Sequence, residues 1–103
     1  PNYSKKVNKT AGTTYTANKD VRVMIAGTIQ NSGDRNYMEA QVKIYDSSNA
    51  LRSTFTLYGG YVYGYNEDPF FVTFDVKAGD KYRIEQTRGT LTIKQFIEIP
   101  FGG

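Results

Sequence analysis

Apolar side chains recur at every second position along most of this chain, and that period builds strands with one buried face, not helices. The clearest case is Phe70–Ile84, FFVTFDVKAGDKYRI. There Phe70, Val72, Phe74 and Val76 share one side, and Phe71 falls on the other, with whatever the preceding Tyr65–Asp68 residues face. Lys77-Ala78-Gly79-Asp80 interrupts the alternation with a glycine able to take positive φ, and Tyr82 and Ile84 resume it. The pattern predicts two antiparallel core strands joined as a hairpin.

The same period appears elsewhere. Val21, Val23, Ile25 and Ile29 share a face in one segment, and Met38, Ala40, Val42 and Ile44 in the next. Leu51, Ser53, Phe55 and Leu57 alternate with Arg52, Thr54 and Thr56, and Leu91, Ile93, Ile97 and Ile99 read as in step along a last strand ending at Pro100. Turn clusters separate them: Gln30–Asn36, Asp46–Ala50 and Thr87–Thr90. Nine Tyr, six Phe and ten Gly with no Trp complete a strand-and-turn composition. About six or seven strands at roughly 10–12-residue spacing predict an all-β chain, an antiparallel β-sandwich or jelly roll. Residues 1–14 read as a mobile leading segment with a short edge strand near Lys6–Asn8, and residues 15–103 as a single domain.

Composition removes several kinds of chemistry. There is no cysteine and no histidine, so thiolate nucleophiles, Cys-type zinc sites and the commonest general base are absent. The net charge of +3 is mild, and apart from Lys5, Lys6 and Lys9 the charges alternate in sign along the chain. Nucleic-acid binding is not expected of such a distribution. No apolar run approaches the roughly 20 residues of a membrane helix, so membrane insertion is not expected, and the opening residues do not read as a signal peptide, which was either removed or never there. Pro1 is an unusual natural start, which suggests a piece of a longer protein.

The least ordinary stretch is Tyr58–Pro69, YGGYVYGYNEDP, with four tyrosines and three glycines in its first eight residues. Aromatic faces stack on the apolar side of a sugar ring, and amide and carboxylate groups take up its hydroxyls; tyrosine also gives interface area at a low entropy cost. Tyr61, Tyr63, Tyr65, Asn66, Glu67 and Asp68 are therefore the candidate ligand-binding residues, with Arg88 from a turn cluster as a further member. The competing reading is a strand with tyrosines on a solvated face, since Tyr61, Tyr63 and Tyr65 also sit at period two. Arg35 lies in a turn cluster of the same kind. Glu67 and Asp68 are adjacent, and nothing fixes a second carboxylate at a hydrolase separation. No Asp-x-Asp-x-Asp calcium spacing occurs around Asp34 or Asp46. The chain is expected not to be an enzyme, with no catalytic residue, no metal site and no cofactor.

Tyr15-Thr16-Ala17-x-x-Asp20-Val21-x-Val23, Val76-Lys77-Ala78-Gly79-Asp80-Lys81-Tyr82-x-Ile84 and the closing Ile97-Glu98-Ile99-Pro100 together resemble small jelly-roll domains of the tumour-necrosis-factor and complement-head type. The layout is similar to the head domains of bacteriophage tail fibres and receptor-binding proteins, and the resemblance spans about residues 13–100. It implies a homotrimer about a threefold axis, set on a shaft, with its site on exposed loops or between subunits. It also implies a virion-surface or extracellular location and a cell-surface or cell-wall saccharide as ligand. The chain departs from saccharide-binding sites in lacking Trp and His, so the ligand class rests on tyrosine. The expected function is a non-enzymatic recognition head, the receptor-binding tip of a phage tail fibre. Two alternatives stand beside it: a structural trimerisation or capping module of a virion or spore-surface filament, and a secreted toxin or bacteriocin with a basic tail.

Overall fold

The computed structural model describes residues 1–31, 37–61, 64 and 66–102, with backbone alone for Tyr37 and for 58–61. Among these residues, eight strands follow a single turn of 3-10 helix at Tyr3–Lys5: β1 (Val7–Asn8), β2 (Tyr15–Thr16), β3 (Val21–Gln30), β4 (Tyr37–Tyr45), β5 (Leu51–Tyr61), β6 (Glu67–Val76), β7 (Lys81–Arg88) and β8 (Thr90–Pro100). They form two antiparallel sheets of four, in the orders β1-β8-β3-β6 and β2-β7-β4-β5.

The pairings β1·β8, β2·β7, β3·β6 and β4·β5 nest inside one another, as in a single long antiparallel hairpin. The lateral pairs β3·β8 and β4·β7 close that hairpin into two sheets. This is jelly-roll topology, within the predicted fold class. The leading segment contributes β1, and Asn2 N–H bonds to the Pro100 carbonyl at 2.6 Å.

Period-two patterning explains the core. Val21, Val23, Ile25, Phe74, Val76 and Phe96 of the first sheet meet Val42, Tyr82 and Ile84 of the second. Aromatic rings bridge the layers: Phe74 lies 5.8 Å from Tyr82, and Tyr82 6.2 Å from Phe96, between centroids.

Two features differ from the sequence expectation. The Phe70–Ile84 stretch is not a hairpin, because β6 and β7 lie in different sheets and Lys77–Asp80 carries the chain across. That turn is bonded to the β2–β3 connection instead. Gly79 N–H donates to Ala17 O at 2.7 Å, Ala17 N–H to Asp80 O at 2.9 Å, and Ala78 N–H to the Asp20 carboxylate at 2.8 Å. Two short motifs distant in sequence thus form one stitched corner. The second difference is in β8, where Ala26 faces Gln95 and Gly27 faces Ile93, leaving Lys94 as a bulge. Leu91 and Ile93 point inward, but beyond the bulge Phe96, Glu98 and Pro100 take the inner face. Ile97 and Ile99 turn outward beside Met24 and Arg22, on the strand against which the 3-10 turn packs, and both are buried there. Gly27 permits the bulge, because a Cβ there would sit 2.0 Å from the Thr92 carbonyl oxygen.

Strand direction sorts the connections. The final residues of β3, β5 and β7 gather at one end of the sandwich, and those of β2, β4 and β6 at the other. Gly64 and Asn66, of the tyrosine-rich segment, lie at the first end.

Candidate functional site

Asn31 organises this first end. It follows the last residue of β3, is 1% exposed, and turns its side-chain amide toward the β5–β6 connection. Its Nδ2 donates to the Gly64 carbonyl at 2.6 Å, and its Oδ1 accepts the Asn66 N–H at 3.0 Å. The Asn31 N–H also donates to the Asn66 carbonyl at 3.2 Å. One amide thus holds both a donor and an acceptor of the segment entering β6, as a backbone strand would. Gly64 takes φ of 75°, a left-handed conformation that glycine adopts without steric cost.

The register places the predicted site residues. Glu67 pairs with Gln30 and lies on the exposed outer face. Asp68 pairs with the inward-facing Ile29 and is half-buried on the inner side. These neighbouring carboxylates therefore point to opposite faces of the first sheet. Asn66 is half-buried beside Asn31, and the Tyr61 backbone pairs with Tyr37 on β4. Tyr63 and Tyr65 lie outside the described residues, as do Asp34 and Arg35.

Arg88 is exposed at the end of β7, opposite Glu39. A bulge there lets the Thr87 hydroxyl donate to the Glu39 carboxylate at 2.7 Å, next to Arg88. The chain then crosses between sheets at Gly89, whose φ is 81°. Thr90 lies beside Gln30, which in turn lies beside Glu67. At about 4.8 Å per strand, Glu67 and Thr90 are roughly 10 Å apart. Asn66, Glu67, Asp68 and Arg88 therefore share one end without forming a single cluster.

Such an end offers amide, carboxylate, hydroxyl and guanidinium groups spread over a short span, which suits a ligand with many hydroxyls or amides. It contains no His or Cys, and among the described residues no three acidic side chains gather as a metal site.

Sequence reasoning missed Asn31, placing it in an ordinary turn cluster. Asn31 stands directly after a confident core strand, which by itself marks a turn and not an anchor. Asn31 and Asn66 are thirty-five positions apart, so the pairing itself was not visible.

A second surface lies along one side of the sandwich. β5 and β6 are the edge strands of their sheets, and both are long. Phe55 faces the core there, 6.2 Å from Phe74, yet remains 40% exposed because it sits on an edge. Phe71 on the outer face of β6 is 60% exposed and Leu51 54%.

No protein-family model matches this chain, and a search of curated proteins finds no match.

Proposed function

We propose that this domain is a non-enzymatic recognition head that binds a cell-surface or cell-wall saccharide through the end built around Asn31. The carrying observation is the Asn31 amide, buried and bonded to both Gly64 and Asn66. A core strand spends a buried polar side chain on fixing the base of a tyrosine-rich connection. Binding residues typically lie on loops positioned by a rigid scaffold, and this arrangement fits that pattern. Tyr61, Tyr63 and Tyr65 supply stacking faces, Asn66 and Glu67 orient hydroxyls on one side, and Arg88 reaches from the other. Asp68, turned inward, supports the base of the site.

Single saccharide contacts are weak, so several copies acting together supply the avidity. The exposed Phe55, Phe71 and Leu51 along the β5–β6 side support association of copies. A homotrimer is the assembly that the jelly-roll resemblance favours, and the tip of a phage tail fibre, on the virion surface, is the setting. The same apolar side supports the second reading, a trimerisation or capping module with no ligand.

Glycan-array and isolated-cell-wall binding, read beside sedimentation velocity, test both readings. Tyr63→Ala with Tyr65→Ala is expected to abolish saccharide binding without changing the sedimentation coefficient. Retained binding overturns the site. Trimers that bind no glycan or cell wall favour the structural module, and a monomer that binds removes the oligomer from the reading.

A further inference from the structure

The side of the sandwich opposite β5 and β6 has its own open edge. β1 spans two residues, pairing Val7 with Glu98 and Asn8 with Ile97, while β8 runs the full length of the sheet. Lys9 N–H makes one more bond, to the Phe96 carbonyl at 2.9 Å, and the chain then leaves for the second sheet, where Gly12 N–H donates to Ile84 O at 3.0 Å. From Leu91 to Gln95, β8 has no strand beside it on this side among the described residues.

The Leu91 N–H and the Phe96 carbonyl both point away from β3, since the first bonds to the Gln86 side chain at 2.9 Å and the second to Lys9. Antiparallel alternation turns the groups of Ile93, between them, the same way. The departing chain and the β8 edge enclose a cleft of about 480 Å³, lined by Asn8, Lys9, Thr10, Ile93, Lys94 and Phe96 among others. Lys9 lies with its ammonium 4.6 Å over the Tyr15 ring, and Lys94 is the exposed bulge residue. Among the described residues, both charged side chains of this cleft are lysines.

We propose that the Leu91–Gln95 edge of β8 is a docking site for an extended acidic peptide segment of a partner protein, which adds as a strand in line with β1. Main-chain bonds to β8 supply the attachment, and carboxylates at alternate positions reach Lys9 and Lys94. The Gln86 side chain caps the Leu91 N–H while the edge is empty and releases it to the arriving strand. A second copy is the wrong occupant, because pairing the free β8 edges of two copies brings their Lys94 charges close together; a lysine on a bulge is a common guard against such pairing. The same positive charge attracts an acidic strand.

The test is an NMR titration of the ¹⁵N-labelled protein at low salt with acetyl-Glu-Val-Glu-Val-Glu-amide, and with the same peptide carrying Lys for Glu. The acidic peptide is expected to shift the amides of residues 8–11 and 91–95 saturably and to bind at least about tenfold more tightly than the basic one. Lys94→Glu is expected to reverse that preference, and Gln86→Ala to tighten binding several-fold by removing the competing cap. Lys94 is exposed, and the spectrum of each variant reports its fold directly. Absence of saturable shifts at millimolar peptide, equal response to both peptides, shifts confined to β5 and β6, or dimerisation of the free protein through β8 would each overturn the proposal.

Discussion

The Tyr82 phenol donates a 2.5 Å hydrogen bond to a Glu98 carboxylate oxygen, linking β7 of one sheet to β8 of the other through the core. Tyr82 is fully buried, with Tyr15 at 5.7 Å and Phe96 at 6.2 Å between ring centroids. Glu98 belongs to the inner face only because the Lys94 bulge reverses the phase of β8.

Burial, reinforced by the Glu98 carboxylate, pushes the Tyr82 phenol far above its ordinary range. The folded state therefore keeps this proton where the unfolded chain releases it, near pH 10. The contribution is fully present below about pH 10 and falls by about 1.4 kcal/mol per pH unit above it. Tyr82→Phe costs roughly 1–2 kcal/mol at neutral pH through the lost charge-assisted bond. The stability gap between wild type and Tyr82→Phe, from urea midpoints, is expected to narrow above pH 10. A gap that is constant up to about pH 11.5 contradicts a neutral, buried phenol.

Strand parity sets the cost of truncation on β6. Phe74 is 9% exposed and touches the Phe55 and Tyr82 rings, whereas Phe71, three residues earlier, is 60% exposed on the other face. Phe74→Ala is expected to cost about 3–5 kcal/mol, and Phe71→Ala less than about 1 kcal/mol. Urea denaturation of both variants at a concentration where each is monomeric separates these values. A Phe71→Ala effect visible only at high protein concentration identifies an association surface, not a core contact.

The alternation of Val21–Ile29, Met38–Ile44 and Phe70–Val76 made the fold class legible, because side-chain period is a local property. Sheet order was not legible: it depends on which strands pair across long separations, as Tyr15 does with Tyr82. The Phe70–Ile84 turn shows the limit well. Its glycine was readable, and Gly79 does take φ of 91°, but a hairpin and a crossover between sheets need the same turn residues. The phase of β8 was misread because a single bulge residue, Lys94, moves Ile97 and Ile99 to the other face without marking the sequence. At the candidate site, chemical types were visible in Asn66, Glu67 and Arg88, whereas the Asn31 anchor is a long-range contact with no local signature.

Two positive-φ glycines should respond very differently to alanine. At Gly79 a new Cβ would meet only Ser47 Cβ, at 3.9 Å, so the cost is conformational, about 1 kcal/mol. At Gly89, with φ of 81°, the Cβ would sit 2.3 Å from the Gln30 carbonyl oxygen and 3.2 Å from Met38 Cβ. Backbone must then move at the β7–β8 crossover, adding roughly 1–3 kcal/mol or more. Thermal melts are expected to show Gly89→Ala well below Gly79→Ala. Equal melting temperatures would mean that the crossover relaxes freely.

The Asn31 anchor predicts a variant whose stability depends on pH in a way that the parent's does not. Asn31→Ala removes the bonds to Gly64 O and Asn66 N–H together, and is expected to cost about 2 kcal/mol and to speed exchange of the Asn66 amide. Asn31→Asp has almost the same shape. It keeps an acceptor for Asn66 N–H but replaces the amide donor facing Gly64 with a second oxygen. At neutral pH a buried carboxylate then faces a carbonyl, which raises the new aspartate's pKa above its unfolded value. Below the unfolded value, about 3.9, the protonated carboxyl can donate to Gly64 as the amide did; as pH rises through the folded value that contribution is lost. Relative to wild type at each pH, Asn31→Asp should therefore be least destabilised in acid and most destabilised at neutrality. The measurement is the urea midpoint of both proteins from about pH 3 to 7, read with exchange at Asn66. A penalty that does not vary with pH would show that the donor to Gly64 contributes little.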